Sequence, residues 1–256
     1  SIEGDSLVIS YLREKTSYIK EGVENSPAGQ KGWNGKSYII KDGKFKTGFL
    51  NRILKHLEPF TVEVELIDHI PAIKYDSYYD SFEHMMRDYQ RNIVEKCLNS
   101  KLGIVKAATN AGKSYPIQSI AKTCESCGVI TLIVVHNQLI YNQLKKSLSS
   151  HTEVGYIEAT KMFLAPVTIA MEATLFNRYT KVDAIFEYLQ NVQCLLIDEV
   201  HRAGGNRYQK VINGMPNLVM KIGFSGTPLD GSQESALNVE GTFGDILVDI
   251  TNQEMI

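Results

Sequence analysis

The chain has 256 residues, 43% hydrophobic and 22% charged, which suits one large or two ordinary domains with a real core and excludes a disordered or fibrous polymer. Lys and Arg number 27 against 29 Asp and Glu, a formal net charge of −2, so any nucleic-acid site must be a local patch and not a polycationic coat. Four cysteines are too few for a disulfide scaffold, and no apolar run approaches the roughly 20 residues that a membrane-spanning helix requires.

Residues 6–12 read as a strand. Residues 36–41 and 44–46 flank Asp42-Gly43, a two-residue hairpin signal. Phe49, Leu50, Ile53, Leu54 and Leu57 share one helical face, and residues 61–67 alternate as a strand before Pro71. The run 71–81 has no period and is expected to be a linker. Residues 1–80 therefore read as a small α+β domain. Within it the stretch 20–60 holds Lys20, Lys31, Lys36, Lys41, Lys44, Lys46, Arg52 and Lys55 against only Glu21, Glu24, Asp42 and Glu58, either a solvated face or a phosphate-binding patch.

From residue 81 to residue 256 strands alternate with helices. Helices are expected over 83–98, 113–127, 138–148 and 184–190, and strands over 103–107, 129–135, 154–157, 166–170, 194–198 and 218–224. Continuous apolar strands between helices call for an α/β fold with a mostly parallel sheet covered on both faces. Cys97 and Cys194 sit in apolar segments as small core residues, and Cys124-Glu125-Ser126-Cys127 is expected to pack at a helix end. The N-terminus lacks a basic stretch followed by an apolar one, so a cytoplasmic, reducing location is expected.

Ala107-Ala108-Thr109-Asn110-Ala111-Gly112-Lys113-Ser114 leaves a strand and opens a helix, the context of a phosphate-binding loop (P-loop). Backbone N–H groups there can face phosphates, Lys113 can neutralise β/γ oxygens, and Ser114 can ligate Mg²⁺. Ala107 stands where the usual first glycine would be. The alternative is a strand-to-helix turn that merely contains Gly-Lys-Ser. Leu195-Leu196-Ile197-Asp198-Glu199-Val200-His201 is an apolar strand ending in two acids: Asp198 suits a Mg²⁺ carboxylate and Glu199 a base that orients water. His201 either links nucleotide state to the next segment or is ordinary surface.

Arg87-Asp88-Tyr89-Gln90, the loop ending in Lys113-Ser114, Asp198-Glu199-Val200-His201 and Ser225-Gly226-Thr227-Pro228, in that order, resemble the motifs of superfamily 2 DExH-box helicases. The resemblance implies a RecA-like domain that hydrolyses ATP with Mg²⁺ and acts on DNA. It implies that Gln90 reads the adenine edge with Arg87 assisting, and that Phe82 or Tyr89 stack on the base or pack in the core. Ser225, Gly226 and Thr227 would couple ATP state to nucleic acid. His136 and Asn137, and Thr174 after a later strand, fall where the family grips one nucleic-acid strand; helix capping by Asn137 and Thr174 is the alternative.

Ile222-Gly223-Phe224-Ser225-Gly226-Thr227-Pro228-Leu229-Asp230-Gly231, Thr242-Phe243-Gly244-Asp245-Ile246 and Gly32-Trp33-Asn34-Gly35-Lys36 narrow the resemblance to the UvsW-type branch-migration helicases of bacteriophages. That resemblance implies action on branched or forked DNA in recombination, replication or repair, contacted through Lys31, Trp33, Lys36, Lys44 and Lys46, and a location in host cytoplasm. Trp33 either stacks on a base or anchors a small core. The family also carries a second RecA-like domain with arginine fingers, worth about 10³–10⁵ in rate in related phosphoryl transfers. On that pattern the chain is expected to be the N-terminal part of a longer helicase, nearly inactive alone and monomeric. Alternatives are the motor of a restriction enzyme or of a repair or transcription translocase, a P-loop phosphotransferase, and a binding module with a silent nucleotide site.

Overall fold

The Asp5 carboxylate accepts from Leu7 N at 2.7 Å and so caps the first element, α1 (Ser6–Lys15). The strand expected over residues 6–12 is therefore helix: Val8, Tyr11 and Leu12, at i, i+3 and i+4, turn one face inward, and the cap decides between the two readings. β1 (Ser17–Ile19), α2 (Pro27–Gln30), β2 (Lys36–Tyr38) and α3 (Leu50–Leu57) follow. The Asp42-Gly43 turn forms, with both residues at positive φ (51° and 69°) and reciprocal Lys41–Lys44 backbone bonds of 2.9 Å. Its arms do not pair further. β2 turns instead to β1, antiparallel, with Ser17 opposite Tyr38. Residues 61–67 form no strand: they stay exposed and, over 62–66, line a groove with α1 and α3 instead of pairing with a strand among the described residues.

The computed structural model describes residues 1–70, 73, 75, 85–108 and 110–251. Most of the expected linker, Phe82 and the start of the expected 83–98 helix thus lie outside the described residues. The larger unit runs α4 (Asp88–Leu98), β3 (Leu102–Ala107), α5 (Ser114–Ser126), β4 (Thr131–Val135), α6 (Gln138–Leu148), β5 (Val154–Ile157), β6 (Met162–Phe163) and β7 (Val167–Met171). It continues with α7 (Glu172–Arg178), α8 (Asp183–Asn191), β8 (Cys194–Asp198), α9 (Asn206–Asn213), β9 (Met220–Ser225), α10 (Gln233–Phe243) and β10 (Ile246–Ile250). The eight strands lie in the order β10-β3-β9-β8-β4-β7-β5-β6, parallel throughout except for β6.

All five residues of β4 and of β8 are buried, as a sheet covered on both faces demands. Val105, Ile133, Leu196 and Ile222 pack with Ile93, Ile117, Ile120 and Leu144 of α4–α6 on one face. Ile104, Leu132, Leu195 and Ile197 pack with Leu175, Ile185, Leu189, Val211, Val239 and Phe243 of α7–α10 on the other. Cys124 and Cys127 lie in and at the end of α5 as free thiols. Among the described residues no helix is long and apolar enough to cross a membrane.

Candidate functional site

The strand order sets β3, β9 and β8 side by side, and their carboxyl ends form one edge. Lys106 pairs with Ser225 and Asp198 with Phe224, so the loops leaving the three strands start level with one another. They also touch: a Cβ on Gly226 would lie 3.7 Å from Ala107 O. Ala107 itself belongs to β3, in register with Ile250. A position in extended backbone has no need of a glycine, which accounts for the alanine there.

Beyond Ala107 the loop turns through a 3.0 Å Ala111 N to Ala108 O bond; Thr109 lies outside the described residues, and Asn110 is exposed. Gly112 takes a φ of 65°, where an L side chain is strained, and a Cβ there would fall 2.5 Å from Gln90 Nε2 and displace that amide, so both conformation and space favour glycine. α5 starts at Ser114 with no side chain capping its N-terminus. Tyr115 N donates to Gly112 O and Ile117 N to Lys113 O, both at 3.2 Å, and Pro116 has no N–H, so the Ser114 N–H and the positive end of the helix dipole are what face a ligand. Lys113 is 7% exposed; its Nζ donates to Ala107 O (3.2 Å) and Ala108 O (3.3 Å) and lies 4.0 Å from Glu199 Oε1. A buried ammonium on neutral carbonyls has partners that a phosphate oxygen outcompetes.

Gln90 is 4% exposed and tied to this loop. Its Nε2 donates to Ala111 O (3.0 Å) and Gly112 O (3.1 Å), while its Oε1 accepts from Arg87 N at 2.9 Å. The Tyr89 hydroxyl donates to the same Ala111 carbonyl at 3.1 Å and lies 3.4 Å from Arg87 Nη1. The Gln90 amide thus braces the loop.

Asp198 ends β8, buried. Burial, then the Glu199 charge, hold its carboxyl above the ordinary carboxylate range, against the opposing pull of Lys113 and His136. Glu199 adopts a left-handed φ of 58°, a conformation costing a non-glycine residue about 1–3 kcal/mol and concentrated at functional sites. Its Oε2 accepts from Ser225 Oγ at 3.1 Å and lies 3.3 Å from His201 Nδ1, which is itself 3.0 Å from Ser225 Oγ. Thr227 N donates to that Oγ at 3.2 Å. The acid, the histidine and the β9 loop are therefore one hydrogen-bonded group. A short 3₁₀ turn, Val200–Gly204, carries His201 onward, and Gly223 makes room for it: a Cβ there would meet Val200 Cγ2 at 2.2 Å.

Residues 83–230, more than half of the chain, match the family described as the type III restriction enzyme, res subunit. The chain belongs to this family. All four quoted motifs fall inside the matched residues, and the superfamily 2 helicase resemblance read from them is borne out. A structure of the UvsW helicase from bacteriophage T4 superposes with a TM-score of 0.74 at 20% identity, over 95% of this chain and 94% of that one. A second T4 UvsW structure gives 0.76 at 20% identity over 97% of this chain and 55% of its own. The Hef helicase domain of Pyrococcus furiosus gives 0.51 at 19% identity over 66% of this chain and 39% of its own. Likeness at these identities concerns the fold. A search of curated proteins found no match. Family and fold together make this a helicase or translocase domain, a class that binds ATP and nucleic acid.

The strand-gripping candidates of the family scatter in role. His136 and Asn137 are exposed at the carboxyl end of β4, where Asn137 Oδ1 caps α6 by accepting from Leu139 N at 2.7 Å. Thr174 sits within the first turn of α7, and no side chain caps that helix. Lys31 and Lys44 are exposed, and Lys36 pairs with Glu14. Lys46 turns inward to Gln209 and Asn238, because the docking of α10 covers it. Trp33, 38% exposed, lies outside the small core of Leu12, Ile40, Phe49 and Ile53. Sequence reasoning missed the pair between Arg202, on the Val200–Gly204 turn, and Glu172, at the start of α7, with contacts of 2.7 and 3.2 Å that join two loops of the same sheet edge. No local spacing announces a pairing between two separate loops.

Proposed function

We propose that the chain binds ATP with Mg²⁺ at the β3–α5 loop and uses its hydrolysis to move on DNA. The observation that carries this reading is the convergence of buried Lys113 and Asp198 and half-buried Glu199 at the uncapped N-terminus of α5. Lys113 holds the β/γ-phosphates, and the Ser114 N–H at the start of α5 completes the cradle. The hard-oxygen donors Ser114 and Asp198 fit Mg²⁺, which binds through one or two carboxylates together with phosphates; a buried carboxyl with a raised pKa is a group that a dication stabilises. Bound there, the ion neutralises phosphate charge. Glu199 orients the attacking water, and the His201–Ser225 contact with Thr227 beyond passes the state of the site to the β9 loop. Gln90 reads the adenine edge, with Arg87 assisting.

Residues 1–80 act as an accessory domain and 81–256 as the motor domain, working as a monomer in the cytoplasm. Branched or forked DNA as substrate is supported by the UvsW-like motifs and fold. The family description supports a second reading, a restriction-type translocase on plain duplex. Calorimetric titration with Mg-ADP should show binding that Lys113→Ala abolishes without unfolding the chain, since Lys113 is the cation aimed at the phosphates. Unchanged affinity in the variant would sink the assignment. Lys31→Gln with Lys44→Gln should weaken DNA binding and flatten its salt dependence by up to about one unit for each phosphate no longer neutralised. A preference for forks over duplex in that assay selects the first reading, and equal affinity selects the second.

A further inference from the structure

The N-terminal unit is seated on α10 by close backbone approach. A Cβ on Gly48 would fall 2.1 Å from Glu240 O, and one on Gly241 would meet the Phe49 ring at 2.5 Å. Lys46 enters beside this contact. Its Nζ donates to Gln209 Oε1 at 2.6 Å and Asn238 Oδ1 at 3.0 Å and meets, among the described residues, no carboxylate. Burial, with the Lys221 charge nearby, holds Lys46 below its ordinary pKa, as expected of an ammonium taken out of water onto neutral acceptors.

The chemistry of the lysine fixes what the two amides do next. An ammonium can only donate, so both amide oxygens must face it and both NH₂ groups must point away. They point at the DExH turn: Gln209 Nε2 donates to Ala203 O at 2.8 Å and Asn238 Nδ2 to Gly204 O at 3.1 Å. These carbonyls end the 3₁₀ turn that begins directly after Glu199 and carries His201. Thr242 Oγ1 holds Asn238 from behind through Asn238 O at 2.7 Å, and Ser235 of α10 presses so close to Gly204 that a Cβ there would meet its Oγ at 2.1 Å.

We propose that Lys46 is a positioning residue for the DExH turn: through the Gln209 and Asn238 amides it sets the Val200–Gly204 carbonyls, and with them His201 and Glu199, so that the seating of the N-terminal unit is felt at the nucleotide site. Its meaning for catalysis rests on the nucleotide reading above. The lysine thus acts in the fold's interior and not on a phosphate.

The test is hydrogen exchange and NMR of the 256-residue chain without nucleotide. Lys46→Met keeps the apolar stem and removes the donor. It should raise exchange of the Val200–Gly204 amides about tenfold, the loss of roughly one net hydrogen bond, and shift the His201 ring resonances. Asn238→Asp keeps an acceptor for Lys46, so the unit stays seated, but cannot donate to Gly204 O. It should reproduce both changes at the turn while leaving exchange in residues 1–57 as in the parent chain. If both variants leave the turn amides and the His201 resonances unchanged, Lys46 only fastens the unit to α10 and the proposal is overturned. Both readouts are taken without nucleotide, so a parent chain that failed to bind Mg-ADP would overturn the nucleotide reading and not this one.

Discussion

The eight-stranded unit and the N-terminal unit reach stability by different routes. β4 and β8 are buried along their whole length and have helices over both faces, whereas β1 and β2 are three residues each, and the core around them has, among the described residues, four buried apolar side chains. A core that small supplies little on its own. The N-terminal unit compensates by leaning on α10, through the Gly48–Gly241 approach, Lys46, and a rim of Arg52–Glu240 and Lys20–Glu234 pairs. The lesson is that the contact which stabilises the weaker unit runs through the helix that also supports the DExH turn.

The largest effect is expected at Gly241. Leu in its place collides with Phe49, and overpacking of this kind costs about 1–3 kcal/mol, against roughly 1 kcal/mol regained from the better helix former. The expected outcome is faster hydrogen exchange through residues 1–57 with the β4 and β8 amides still protected; equal loosening of both would mean that the two units fold as one.

A smaller effect of opposite sign is expected at Asp198. A carboxyl whose folded pKa lies above its unfolded one makes the ionised form costly in the folded state. Stability is therefore lost as pH rises from the ordinary carboxylate range through the raised value. Asp198→Asn should stabilise the nucleotide-free chain at neutral pH, a gain on the order of 1 kcal/mol shifting Tm by about 2–4 °C, and the gain should fade as pH drops toward the ordinary carboxylate range. A variant less stable than the parent at neutral pH would show that the carboxyl is satisfied, not strained. In the same variant Mg-ADP should no longer raise Tm.

Least affected should be Arg52→Gln. The Arg52–Glu240 pair is bidentate but half-open to solvent, so its loss should cost about 0.2–1 kcal/mol, shrinking as salt is added. A larger, salt-independent loss would move the seating energy from the glycine contact to the rim.

Much of the larger unit was legible because its signals are local. Residues 138–148, 154–157 and 194–198 form the expected elements at the expected bounds, since a buried strand or an amphipathic helix writes its period into adjacent residues. The phosphate loop was equally plain, with strand, glycine at positive φ, lysine and helix contiguous in sequence. Residues 6–12 were not, because the period of so short a run suits either state and Asp5 chose helix; residues 61–67 alternate like a strand but pair with no strand among the described residues. α9, α10 and β10 are short, mixed segments that become regular by packing on what surrounds them. Only the tertiary structure placed β9 between β3 and β8, which brings Ser225 to Glu199, and only it turned Lys46 from a member of a basic run into the partner of Gln209, 163 residues away. Backbone preference and side-chain period act over a few residues, so the sequence by itself determines elements and contiguous loops. Which strand edge or polar group meets which depends on burying the apolar faces of the whole chain at once, and that is decided in three dimensions.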